Sequence, residues 1–246
     1  MMSYEEYAQK ECREWQRDMQ LRPTLLGGLS RGVQQKLNSY IPEKVHKAIT
    51  AAIRQMVRGV LFGSRTLSTA KPIHGPLSVV EAEVRRRIEA HRQAAAAEGG
   101  VTGAGGFLAS LADFPLLLGI KLKLLSDIAA LYGYPAQSYT ERVYLLHVFE
   151  LAFSSRPHRR TVFARMQGWK DRERLLPEKV DDFDWRSFQQ EYRDHIDLAK
   201  LAQMVPGIGA VVGFVVNYRL LDRLGTTAIN AYRMRWIEEG KLARES

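Results

Sequence analysis

Seven polar residues stand in or beside apolar helical stretches and have the types that carry chemistry: Asp113, Asp127, His147, Glu150, His195, Asp197 and Asn217. His147 and Glu150 are three apart, so a helix puts both on one face, where an imidazole and a carboxylate can share a proton or a metal ion. His195 and Asp197 are two apart and do not share a face. Di-iron helical bundles use Glu-x-x-His from each of two helices, with further glutamates from the others. Here the order is His147-x-x-Glu150, and one such pair exists. A core histidine bonded to a carboxylate or a backbone carbonyl is the plainer reading, and neither a metal nor a cofactor is expected. Asp113, two residues before Pro115, suits a helix N-cap as well as a general base. Asn217 suits a bond to a free carbonyl beside a glycine-rich turn. An enzyme or metal protein remains the second reading, with Asp113, His147, Glu150 and Asn217 as its ligands around a central pocket.

Other chemistries find less support. No G-x-S-x-G is present for nucleophilic hydrolysis. Cys12 lies in a highly charged stretch with no histidine nearby in sequence. The run GGVTGAGG, residues 99–106, follows no strand and lacks both the P-loop lysine and the G-x-G-x-x-G spacing, so it is not a phosphate cradle. In RPHRRTVFARMQGWK, arginines interleave with Phe163 and Trp169, as in single-strand binders. Val162, Phe163 and Met166 nonetheless fall at core spacing with the arginines opposite, which describes an amphipathic basic helix. Nucleic acid is not the expected partner.

The composition frames these readings. Apolar residues make up 46% and charged residues 26% of 246, the proportions of a globular chain. Lys and Arg number 36 against 27 Asp and Glu, a surplus of +9 that suits an anionic partner. One cysteine allows no disulfide within the chain and fits a reducing compartment. The opening residues, MMSYEEYAQKECREWQRD, form no apolar signal region, and the expected location is the cytoplasm.

Helical spacing of apolar residues runs through the whole chain, and strand signals are scarce. The expected fold is all-α: a single multi-helix domain of about ten or eleven helices with two glycine-rich apolar helices at its centre. Residues 1–76 form an N-terminal helical region packed on a core of residues 77–246. Ser3 with Glu6 matches a capping box. Helices are expected over 24–40 and from Pro42, with Val45, Ile49, Ile53, Met56, Val57 and Val60 at core spacing. Ser78 is read as the cap of a helix reaching about Ala97. Further helices follow from Asp113 to Gly133, 137–153, 157–168 and 187–204. Residues 169–186 read as an exposed excursion, and a last helix spans about 226–240. Gly105, Gly106, Gly209 and Gly213 are placed to let two helix backbones approach closely.

A conventional membrane span is not expected. Val101 to Ile120 offers twenty residues with one charge, but Asp113 and Pro115 interrupt it, and Met204 to Val216 is too short. Peripheral contact fits better: Arg85, Arg86, Arg87, Arg156, Arg159, Arg160 and Arg165 are the cations expected to meet an anionic membrane surface.

Two stretches resemble a known family. GGVTGAGGFLASLADFPLLLGIKLKLLSDIAALYGY and, after a gap, VPGIGAVVGFVVNYRLLDRLGTTAINAYRMRWIEE resemble the EcsC family of bacterial proteins, named after a component encoded beside an ABC transporter. The resemblance covers roughly Ser78 to Glu239. It implies a cytoplasmic or membrane-associated helical protein, peripheral at the inner membrane, with a membrane transporter as a partner. No catalytic residue is carried over with it. The sequence leaves the oligomeric state open.

Overall fold

The computed structural model of the chain describes residues 2–21, 68–104, 114–175 and 209–242, with short helical pieces between 47 and 60. Among the described residues every regular element is helical. In chain order they are α1 (Tyr4–Gln20), α2 (Leu77–Ala104), α3 (Phe114–Leu131), α4 (Tyr139–Phe153), α5 (Arg156–Met166), α6 (Trp169–Arg172) with a 3-10 turn (Glu173–Leu175), and α7 (Gly209–Glu238).

The start of α1 is fixed by its own sequence. The Ser3 hydroxyl accepts the Glu6 amide at 3.1 Å, and the Glu6 carboxylate accepts the Ser3 amide at 2.6 Å, which satisfies two of the helix's orphan donors. Ser138 caps α4 in the same manner through the Glu141 amide. Gly133, at φ +88°, takes the left-handed conformation that ends α3. Ile53, Val57 and Val60 are helical and buried, as their spacing predicts.

Four expectations change. Ser78 is not a cap: α2 begins at Leu77, and the Val79 and Val80 amides return to the Pro76 carbonyl. The helix then continues past Ala97 through Gly99, Gly100 and Gly103 despite their low intrinsic propensity. α7 is one unbroken helix of 30 residues, with no break before Thr226. Gly225 inside it is a contact point, because a Cβ there would stand 2.7 Å from Ile88 Cδ1 of α2. The expected excursion begins inside the protein, with Trp169 buried against Tyr144 at 5.0 Å between ring centroids. The segments expected to be helical over 24–40 and 187–204 lie outside the described residues.

Every residue of α4 from Val143 to Phe153 is buried, so this helix, apolar nearly all round, is the core element. Of the glycine tracts, Gly99, Gly100 and Gly103 close α2, and Gly209 and Gly213 open α7. Gly105 and Gly106 lie outside the described residues.

Cross-contacts fix how the helices run. α2 and α7 are antiparallel, since Glu81 meets Arg233 and Arg92 meets Asp222 at 3.0 Å. α2 and α3 are antiparallel too, since Glu81 meets Tyr132 and Arg87 meets Asp127. α3 and α7 are therefore parallel, and the Tyr132 and Tyr232 rings stack at 5.5 Å between their C-terminal ends. α1 lies across α7, α5 and α2. No helix among the described residues is long and apolar enough to cross a membrane.

Candidate functional site

α4 carries His147 and Glu150 on one face, and the turn at Ser154 brings α5 back beside them. The two side chains do meet: His147 Nδ1 lies 3.3 Å from Glu150 Oε2. A third residue joins them, with His158 Nε2 of α5 at 2.6 Å from Glu150 Oε1. Glu150 is 4% exposed and His147 6%. The Trp169 ring stands edge-on to the His147 imidazole at 5.9 Å. Burial alone would push the Glu150 carboxyl up, but the bonds from His147 and His158 outweigh it and hold it at about 2. A carboxylate held so low is a poor proton acceptor at neutral pH. In this geometry it carries a fixed negative charge that orients two imidazoles. No group of three or more His, Cys, Asp or Glu among the described residues is arranged to hold a metal ion.

A second buried centre is absent from the sequence reading. Arg233 of α7 and Glu81 of α2 are both fully buried and pair through two parallel bonds, Nε to Oε1 and Nη2 to Oε2, each 2.6 Å. Tyr132 donates to Oε1 at 2.9 Å and Tyr4 to Oε2 at 2.7 Å. Arg233 Nη1 reaches Glu11 Oε2 of α1 at 2.5 Å. Burial would raise the Glu81 carboxyl, yet the guanidinium and the two phenols keep it below the usual carboxylate range. Burial raises the Tyr132 phenol far above its ordinary range, so it stays a donor. The signal for this pair was present in sequence: Glu81 shares the stripe of Leu77, Val80, Val84 and Ile88, and Arg233 sits between the buried Tyr232 and Met234.

Two residues further along α7, Arg235 forks onto Glu141 at 2.6 and 2.9 Å and stacks over the Tyr134 and Tyr144 rings at 3.9 and 4.7 Å to their centroids. Glu239 stands 3.6 Å from the same guanidinium. Asp127 is fully buried and accepts the Ser68 hydroxyl at 2.6 Å, with Lys123 and Arg87 at 3.4 and 3.6 Å.

The remaining predicted residues fall in several places. Asn217 is buried in α7, and its Nδ2 finds no hydrogen-bond partner. α4 runs antiparallel to α7, with Glu141 at Arg235 and Tyr144 at Ala231, so Glu150 stands level with about position 225 and Asn217 lies about eight residues, ~12 Å, further toward the start of α7. Asp113, His195 and Asp197 lie outside the described residues. Of the basic residues, Arg85 stands 3.7 Å from Glu81, and Arg86 and Arg87 share the Glu83 carboxylate at 2.6 and 2.9 Å. Those two bonds hold the Glu83 carboxyl at about 2. Arg159 stands 3.8 Å from Asp18. Arg156 opens α5, Arg160 on it is exposed and Arg165 is half-buried. An open groove of about 580 Å³ runs beside the triplet, lined by Lys71, Ile73, Val79, Arg86 and Leu131 among others.

Known proteins share this chain's pattern along nearly its whole length. A model of the EcsC protein family matches residues 6–237, which takes in α1 as well as the stretch from Ser78 onward. Protein EcsC of Bacillus subtilis (strain 168) is 40% identical over 232 residues, covering 94% of this chain and 95% of that protein. The uncharacterized protein YdbA of the same organism is 28% identical over 251 residues, covering 94% of this chain and 92% of its own. No solved structure gives a significant match. The shared pattern spans both buried ion-pair centres, and the chain belongs to the EcsC protein family.

Proposed function

We propose that this protein acts without catalysis at the cytoplasmic face of the membrane, held there by its basic surface, and assists a transport or envelope process. The observation that carries this reading is where the charge goes. Arg233 is met by Glu81 and Glu11, and Arg235 by Glu141 and Glu239. Each buried arginine is matched by carboxylates, and the buried charges of the described residues balance, Lys121, Arg233 and Arg235 against Glu81, Asp127 and Glu150. The described interior therefore takes up none of the chain's surplus of +9. Arg160 and Arg165 on α5 have no acidic partner among the described residues and belong to that surplus. Each cation near an anionic leaflet adds about 1 kcal/mol of attraction. Membership in the EcsC family supports an envelope context and a membrane transporter as partner.

Flotation of the purified protein with vesicles tests the reading. Binding to phosphatidylglycerol-containing vesicles, with little binding to neutral ones and a steep loss between low and high salt, is the expected result. Absence of binding to vesicles of any composition overturns it.

A further inference from the structure

We propose that the groove between α2 and the segment leading into it is a docking site for an acidic peptide segment of another protein, one that carries an apolar side chain a few residues from its carboxylates. The inference goes beyond membrane attachment and stands or falls separately from it.

The groove is lined wholly by described residues. One wall is a face of α2. Leu77, Val80, Val84 and Ile88 turn to the core, while Val79, Ala82, Glu83 and Arg86 recur at i, i+3, i+4 and i+7 on a second face that lines the groove. The other wall is the segment 68–76, which two bonds tie to α3. Ser68 donates to Asp127 at 2.6 Å, and the Ile73 amide donates to the Leu131 carbonyl at 3.3 Å. Pro72 and Pro76 restrict the backbone of that segment further. Both walls are in place before anything binds, which lowers the ordering cost of association.

The same bonds give the groove a direction. Glu81 lies level with Tyr132, and Arg87 with Asp127. Ile73, tied to Leu131, therefore stands toward the start of α2, at the Val79 and Ala82 end. Lys71 lies between Ile73 and the Ser68 anchor, toward Arg86 and Arg87. One end of the groove is apolar and the other holds three cations. Val79 and Arg86 are seven residues apart, ~10 Å along the helix. An extended peptide covers that distance in about three residues.

The cations are arranged to take carboxylates. Glu83 accepts from Arg86 at 2.7 and 2.6 Å and from Arg87 at 2.9 Å, so it holds two guanidiniums side by side. A guanidinium has about five N–H donors, and Glu83 engages only part of each set. The Arg86 side chain is 67% exposed, and the exposed Lys71 has no acidic partner among the described residues. At the other end a single exposed valine would be ordinary on a protein surface. Val79, 51% exposed, instead shares the groove with Ile73 and Leu131. The groove is also open rather than enclosed. A small amphiphile in an open trough keeps much of its chain in water, whereas sites for such ligands bury most of the ligand's surface. A peptide brings flanking residues that shield its own anchor from water, so the open shape favours it.

Two measurements decide the matter. In the first, peptides are selected from a random display library on the full chain, with a Lys71→Glu/Arg86→Glu variant used for counter-selection. Both positions are exposed, and near-UV circular dichroism checks the fold. The enriched sequences are expected to place Asp or Glu within a few residues of a Leu, Ile or Phe. Neutral or basic sequences, or no enrichment, overturn the proposal. In the second, the anisotropy of one enriched, dye-labelled peptide is followed in titrations. Lys71→Glu/Arg86→Glu and Val79→Asp are each expected to weaken binding by roughly 10-fold or more. Arg160→Glu/Arg165→Glu, which makes the same change in net charge on α5, is expected to stay within about 2-fold at physiological salt. An equal loss in the α5 variant shows attraction by net charge alone and overturns the groove. Displacement of the peptide by dihexanoyl-phosphatidylglycerol, below its micellar concentration, makes a lipid the occupant and overturns the peptide. Flotation of the wild type decides the membrane reading by itself, so the failure of either is told apart from the failure of the other.

Discussion

Glu81 and Glu150 are the same residue type, each buried on a helix and each held below its ordinary carboxylate range, yet they are held by different means. Glu81 faces a guanidinium, a charge that does not titrate in the working range. Its partners come from α1, α7 and the residue after α3, with sequence separations of 77, 152 and 51. Glu150 faces two imidazoles, three and eight residues away. The first site joins helices that are remote in sequence, whereas the second pins a single turn between neighbours. A buried carboxylate is costly wherever it stands, so its place in the architecture is defined by the partner that makes it tolerable.

This contrast can be broken in several ways. The largest effect is expected at Arg233→Met, which leaves Glu81 charged, buried and without its main partner, at a loss of about 3–5 kcal/mol in urea unfolding. Adding Glu81→Gln to it should restore part of that stability. A double variant no more stable than Arg233→Met alone would show that the pair does not act as an ion pair.

Next comes Glu150. Its folded carboxyl sits at about 2 against an unfolded value of 4.5, so the unfolded chain binds the proton more readily. The stability it contributes is present above pH 4.5 and disappears as the pH falls toward 2. The difference corresponds to about 3 kcal/mol. Glu150→Gln should abolish that slope between pH 4.5 and 2, and stability curves of the two proteins that run parallel there would refute the assignment. Tyr132→Phe removes one fully buried donor to Glu81 and should lower stability by about 1.5–3 kcal/mol in the same urea assay. Tyr4→Phe removes the other, half-buried donor and should lower it by about 1 kcal/mol. If the Tyr4 effect equals or exceeds that of Tyr132, then burial does not grade these bonds.

Much of the local structure was legible in the residues. The Ser3 capping box, the Gly133 stop, the core spacing of Ile53, Val57 and Val60 and the His147–Glu150 contact all depend on neighbours within a few positions. His158 was missed because it reaches Glu150 across a turn, where helical periodicity no longer applies. Glu81 and Arg233 were missed because a charged residue at core spacing announces itself only once its counterpart on another helix is known. The glycines misled for a related reason. Propensity argues for breaks in GGVTGA and at Gly225, but close packing of α2 on α7 turns Gly225 into the place where Ile88 fits. The all-α class and the family were readable throughout, while the central role of α4 emerged only from burial on every side.

The tie between Glu11 and Arg233 closes a span of 222 residues. It has a consequence for how the polypeptide is made. On the ribosome α1 emerges well before α7, and at 17 residues it gains most of its stability from packing rather than from its own sequence. One of its principal docking surfaces, α7, is synthesised after every other described helix. Until then Glu81 has no guanidinium and the first helix lacks that seat. The protein therefore cannot complete its interior until α7 has been made. A nascent chain stalled before Arg233 would expose a buried carboxylate and the apolar faces around it, a natural handle for surveillance by proteases and chaperones.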